Sequence, residues 1–228
     1  MTNLPRPQAP STEIRLLSTA TTGRYLVEPA PQPGAPLLVG FHGYAQRAEH
    51  LLEDLRRIPG AAGWTLVAVE ALHRFYSPKT RKVVGSWMTS LDRDQAIEDN
   101  VAYVQRVVAE LRAERGKGKL VFAGFSQWAA MAWRAATRCG PCHGLIVIGG
   151  DLPGDVAGSP SLAAPPVLLG RGGQDAFYTG AQFEQDLATL ESLGIRAEAV
   201  RFDGGHEWGP GFLAAAGRFL ERVASQVS

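Results

Sequence analysis

Cysteine is nearly missing from this chain, with two in 228 residues. That is too few for the disulfide framework of a small secreted domain. No apolar run approaches the ~20 residues of a membrane-spanning helix. Neither sign of charge is in excess, since 23 basic against 22 acidic residues leave +1. Nucleic acid and anionic membrane are therefore not expected as partners. The opening MTNLPRPQAPSTEIRLL lacks the apolar stretch of a signal peptide, so a cytoplasmic protein is expected. The sequence has no HExxH, no paired CxxC and no Asp/Gly calcium loop, and no metal is expected. It has no G-x-G-x-x-G after its first strand, and no dinucleotide cofactor is expected. Internal repeats and low-complexity segments are also missing.

What is present is ordinary globular material, 45% hydrophobic and 20% charged, enough for a full core. Three prolines in residues 1–12 predict a loose arm, leaving 13–228 as one domain. Strands are predicted near 13–19 and 24–28, followed by the loop Pro29-Ala-Pro31-Gln-Pro33-Gly34. Unbroken apolar runs follow at Leu37–Phe41, Thr65–Val69, Leu120–Ala123, Leu145–Ile148 and Val167–Leu169. Runs without polar alternation suit strands buried on both faces, as in a parallel sheet. Between them, Ile97, Val101, Val104, Val108 and Leu111 share one helical face, with Asp92 as the predicted cap and Gln95 three residues on. Thr179-x-x-Gln182 opens a helix that Gly194 closes. Phe212, Ala216, Phe219 and Val223 mark the last helix. The alternation predicts an α/β fold, with a mostly parallel sheet, helices on both faces and no cap domain. Two long connections, 72–92 and 151–166, are expected to line a site.

The sharpest pattern is Lys119-Leu-Val-Phe-Ala-Gly124-Phe-Ser126-Gln-Trp128, which runs into AAMAWRAATR. A buried strand meets a helix with serine at the junction, the setting of a nucleophile elbow, G-x-S-x-G. Gly124 fits that pattern, and Trp128 stands where the second glycine is usual. An indole there must leave either into the core or toward the cleft. A second strand end, Phe41-His42-Gly43-Tyr44, has the place of an oxyanion loop, with the amides of Tyr44 and Gln127 as donors. A triad needs an acid and then a histidine further along. Asp175 follows the strand Val167–Leu169, and His206 lies in Gly204-Gly-His206-Glu-Trp208 after the strand Ala197–Phe202. Strand ends on one edge of a parallel sheet converge, so Ser126, Asp175 and His206 are expected to meet. His50 falls inside a helix, His143 borders the cysteines, His42 reads as structural, and His73 could touch substrate. Asp203 and Asp151 are weaker acids, by proximity to His206 and by an earlier strand. Lys79, Arg81 and Lys82, with Arg74 and Arg171 nearby, read first as a solvated loop and second as a seat for a substrate anion.

These motifs make the chain resemble the carboxylesterase/phospholipase family of α/β-hydrolases, which includes acyl-protein thioesterases and small bacterial esterases. The resemblance spans roughly 35–225. It is carried by F-H-G-Y at 41–44, G-S-W at 85–87, G-F-S-Q at 124–127, the strand ending in Asp175 and G-G-H-E at 204–207. It implies Ser126 as nucleophile, His206 as base, Asp175 as its orienter, Tyr44 and Gln127 as oxyanion donors, and Trp87 beside the acyl site. The expected activity is hydrolysis of a small carboxylic ester or thioester without cofactor. A homodimer is left open. The chain departs from the family at Trp128 and in its acid loop, Gly-Arg-Gly-Gly-Gln-Asp, where the family more often starts with histidine and glycine.

Two rival readings come from the same residues. One is a hydrolase-fold binding protein in which Trp128 has blocked the elbow. The other is a thiol–disulfide protein built on Cys139-Gly-Pro-Cys142. In thioredoxins that tetrapeptide opens a helix, whose dipole activates the first thiol. Here it closes one, which gives the dipole the wrong sign.

Overall fold

The computed structural model describes residues 13–159 and 164–226; the arm expected at 1–12 lies outside them. All five apolar runs are strands. β1 (Tyr25–Glu28), β2 (Leu37–Phe41) and β3 (Thr65–Val69) come first, with α1 (Ala48–Arg56) between the last two. A ribbon of β4 (His73–Tyr76) and β5 (Val83–Ser86) precedes the long helix α2 (Arg93–Arg115). Then come β6 (Leu120–Phe125), α3 (Ala129–Arg138), β7 (Gly144–Ile148) and a single helical turn, α4 (Gly154–Ala157). The chain continues through β8 (Val167–Gly172), α5 (Gly180–Ser192), β9 (Ala197–Phe202) and α6 (Pro210–Ser225).

Seven strands form one sheet in the order β1-β3-β2-β6-β7-β8-β9. Only β1 runs antiparallel, against β3. The central strands β2, β3, β6 and β7 are buried along their whole length, because both sheet faces are covered. On one face, α2, α3 and α5 pack over Val39, Phe41, Phe122, Val147 and Leu169. On the other, α1 and α6 cover Leu38, Ala123, Ile146 and Leu168. The predicted face of α2 is buried as read. Among the described residues no helix is long and apolar enough to cross a membrane.

Three expectations are corrected. Residues 13–22 form no strand, and Ile14, Leu16 and Leu17 lie exposed. An isolated apolar triplet with no pairing partner cannot hold an edge position. Asp92 does not cap α2 through its side chain. It takes φ +49° and leaves the first turn of α2 without a side-chain cap. The 72–92 segment is not a plain loop but the β4–β5 ribbon, with Phe75 opposite Val84. By contrast, Thr179 and Gln182 form the reciprocal cap foreseen for α5.

One polar cluster ties the N-terminus of α1 to the end of β3. The Glu70 carboxylate, 1% exposed, accepts from Arg24 (3.1 Å), Arg47 (3.0 Å) and the Ala48 amide (3.2 Å). An anion at a helix N-terminus satisfies free N–H groups as well as charge. Glu70→Ala should therefore cost about 1–3 kcal/mol. The loss stays below that of a fully buried pair, because both arginines reach water. Urea unfolding measures it, and an unchanged midpoint would show that the cluster contributes nothing.

Candidate active site

Sequence order dictates the site's geometry. β6, β8 and β9 run parallel, so the residues after each strand emerge at one edge of the sheet. Ser126 follows β6, Asp175 follows β8, and His206 follows β9. Their side chains meet. His206 Nε2 lies 2.7 Å from Ser126 Oγ, and His206 Nδ1 lies 2.8 Å from Asp175 Oδ2. These partners assign the tautomer. Nδ1–H donates to the carboxylate, and Nε2 accepts from the serine hydroxyl. The Asp175 side chain is 1% exposed and that of His206 19%, so the carboxylate is sealed while the imidazole stays reachable. The other Asp175 oxygen accepts from the amides of Phe177 (2.8 Å) and Tyr178 (3.0 Å). Asp151 and Asp203 take no part in this chain of hydrogen bonds; Asp203 instead accepts from Gln174.

Ser126 sits at φ +62°, a left-handed conformation costly for any residue with a Cβ. It opens a 3-10 turn, Ser126–Trp128, that leads directly into α3. This turn leaves early amides without an acceptor inside the helix, the Gln127 N–H among them. Across the cleft, Gly43 to Gln46 make a tight turn. The Gln46 amide donates to Gly43 O (3.1 Å), and Gln46 Oε1 accepts from the Gly43 amide (2.8 Å). Ala45 takes φ +55°, and the Tyr44 amide is left with no protein acceptor among the described residues. Gly85 of β5 fastens this turn, accepting from Ala45 (3.1 Å) and donating to Gln46 O (3.0 Å).

His42 is buried and structural. Its Nε2 accepts from the Ala71 amide (3.1 Å), and Nδ1 donates to Gly43 O (2.9 Å). Burial pushes its imidazole below the ordinary value, which keeps it neutral in this role.

The residues expected to touch substrate lie in different settings. Trp87 and Trp128 are both fully enclosed, so neither shows surface to a ligand. Trp87 donates to the His42 carbonyl (3.2 Å), next to the Gly43–Gln46 turn. Trp128 took the core exit. It belongs to the buried apolar cluster that also holds Phe41, Trp87 and Trp133, and the exposed Tyr44 ring lies over it at 6.5 Å between centroids. His73 opens β4 opposite Ser86, with Nε2 enclosed and unpartnered among the described residues. The apolar surface beside the triad comes from residues the sequence did not mark. Phe125 packs on the His206 ring at 4.8 Å and the exposed Phe177 at 5.0 Å. Arg171 does not join a cationic seat; its guanidinium is spent on backbone carbonyls of the acid loop. Lys79 and Arg81 are exposed at the tip of the ribbon. Among the described residues no cluster of His, Cys, Asp or Glu could hold a metal ion.

With this geometry described, comparison with solved structures adds the fold class. Esterase PE8 superposes with a TM-score of 0.73 at 25% identity, covering 89% of this chain and all of its own. The acyl-protein thioesterase 2 of Zea mays gives 0.70 at 18%, covering 90% and 100%. The Bacillus cereus carboxylesterase gives 0.68 at 13%, covering 88% and 94%. The chain is an α/β-hydrolase by fold. The likeness to carboxylesterase/phospholipase proteins, read from short motifs, holds in three dimensions across this α/β-hydrolase. No protein-family model and no curated protein matches its sequence.

The cysteines are free, and burial pushes both thiols up to about 12. Cys142 donates to the Ala136 carbonyl at the end of α3. Thiolate, the reactive form, is therefore scarce at neutral pH. Iodoacetamide at pH 7.5 should label the native chain far more slowly than the urea-unfolded one. The folded chain holds these protons above the ordinary value of 9.0, so this contribution to stability is whole below pH 9 and falls as pH rises toward about 12. Fast labelling of native Cys139 at neutral pH would contradict the account.

Proposed function

We propose that this α/β-hydrolase cleaves carboxylic esters or thioesters through a covalent acyl-serine. The observation that carries the reading is the unbroken chain from Ser126 Oγ through His206 to Asp175, at 2.7 and 2.8 Å. Ser126 Oγ attacks the substrate carbonyl as His206 Nε2 takes its proton. The carbonyl electrons move to oxygen, and that oxyanion faces the amides of Tyr44 and Gln127, unpaired among the described residues. Collapse breaks the bond to the leaving alkoxide or thiolate, which takes the proton from His206. Water repeats the cycle, giving its proton to His206 and releasing the acid and free Ser126. Fold neighbours described as esterase, carboxylesterase and acyl-protein thioesterase support acyl transfer as the chemistry.

The binding-protein rival required the Trp128 indole to spoil the elbow. The indole lies in the core instead, and Ser126 keeps both its strained φ and its hydrogen bond to His206. The thiol rival required an accessible thiolate, which the burial of both cysteines disfavours.

A fluorophosphonate probe with peptide mapping should mark Ser126 alone. Ser126→Ala should abolish labelling and lower kcat on the order of 10⁶-fold. Asp175→Asn should lose about 10⁴-fold through a misplaced tautomer. Turnover in Ser126→Ala within about tenfold of the parent would sink the assignment.

A further inference from the structure

The acid loop departs from the family pattern at Arg171, and the structure shows what that arginine does. Its Nε donates to Tyr178 O (2.7 Å), Nη2 to Asp175 O (3.0 Å) and Nη1 to Gly173 O (3.4 Å). Among the described residues it makes no ion pair, so the guanidinium is met only by carbonyl dipoles. Those carbonyls span the turn that carries Asp175. The same turn returns two amides, from Phe177 and Tyr178, to the Asp175 carboxylate. The backbone is thus held on both sides, with carbonyls gathered by Arg171 and amides gathered by Asp175. Tyr178 is fixed further by its hydroxyl, which donates to the buried Asp186 (2.7 Å).

We propose that Arg171 is a positioning residue for the triad, clamping the acid loop so that Asp175 Oδ2 stays on His206 Nδ1. The inference rests on the triad reading above. The clamp needs a planar group with donors diverging in one plane, which arginine supplies and lysine does not. A lysine ammonium is a single point that cannot bridge three separated carbonyls. Without the clamp the turn can relax while the strand stays paired, because β8 keeps its ladders to β7 and β9. The chemistry should therefore suffer more than the fold, and substrate binding should hardly change, since the guanidinium is turned into the loop.

The test compares the parent with Arg171→Met and Arg171→Lys on a soluble acetyl ester. Arg171→Met should lower kcat by about 10²-fold, the cost of misplacing a catalytic group by about an ångström, with KM little changed. Millimolar guanidinium, far below denaturing levels, should restore part of kcat in Arg171→Met and do nothing for the parent. The low-field proton resonance of the His206–Asp175 hydrogen bond should be present in the parent and lost or broadened in Arg171→Met. Arg171→Lys should keep the fold yet share the kcat defect, which preserves the test if the Met variant fails to fold. An unchanged kcat, a rise in KM alone, or a fall in kcat with the proton resonance intact would each overturn the clamp. A parent without turnover would instead overturn the proposed function, and the resonance would then decide on the clamp independently.

Discussion

Holding a serine at φ +62° costs on the order of 1–2 kcal/mol, and this chain arranges much of its core around that one turn. β6 must end and α3 must begin within three residues, so Oγ is lifted clear of the sheet. The approach is too close for side chains on either side. A Cβ on Gly124 would lie 2.8 Å from the Ala132 methyl and 2.9 Å from Ala129 Cα. A Cβ on Gly150, beyond β7, would lie 2.0 Å from the Ser126 carbonyl oxygen. The alanines of α3 and the glycines after β7 are thus one device. They let two strand ends and a helix start share a space that ordinary residues would fill. The strain is held there by packing that any relaxation would disrupt.

Around that fixed point, separate polar brackets hold the partners. The Gly43–Gln46 turn is tied by the Gln46 side chain, by Gly85 of the ribbon and by the buried His42. The acid loop is tied by its own amides, by Arg171 and by the Tyr178–Asp186 contact. Burial pushes the Asp186 carboxyl up, and the Leu152 amide donates to it (3.0 Å). That bond joins α5 to the segment after β7, whose Gly150 lies against the Ser126 carbonyl. Each bracket uses backbone groups that a surface loop would leave to water, which is how loops hold reactive groups to a fraction of an ångström.

Much of this was legible in the sequence because burial on both faces leaves a plain mark. The runs at 37–41, 65–69, 120–123, 145–148 and 167–169 could hardly be anything but central strands, and a parallel sheet fixes where their ends lie. The meeting of Ser126, Asp175 and His206 in space followed from chain order. What was illegible depends on contacts between distant residues. The ribbon at 73–86 is set by Gly85 pairing with Gln46, which no local pattern announces. Arg171 looked like one more cation near a basic loop, since its carbonyl partners come from a turn whose shape the sequence does not print. Residues 13–19 carry strand-like side chains, yet stay unpaired because strand propensity is weak without a neighbour.

Trp128 shows how such contacts decide a question that spacing poses but cannot answer. An indole two residues past the nucleophile could have narrowed the cleft or entered the core. Entering the core leaves Nε1 buried without a partner among the described residues, at about 1–3 kcal/mol. Against this, truncating a buried tryptophan typically costs about 3–5 kcal/mol, so the packed state can offset that penalty. The apolar cluster it belongs to supplies the surface for that burial, and the Tyr44 ring lies over the indole from outside. The residue that seemed to threaten the turn at Ser126 thereby supports the Tyr44 side chain across the cleft. A glycine there would keep the elbow but leave Tyr44 with nothing beneath it. In this chain the Ser126 turn and the Gly43–Gln46 turn are therefore joined through a tryptophan, which opens α3 and lies under the Tyr44 ring.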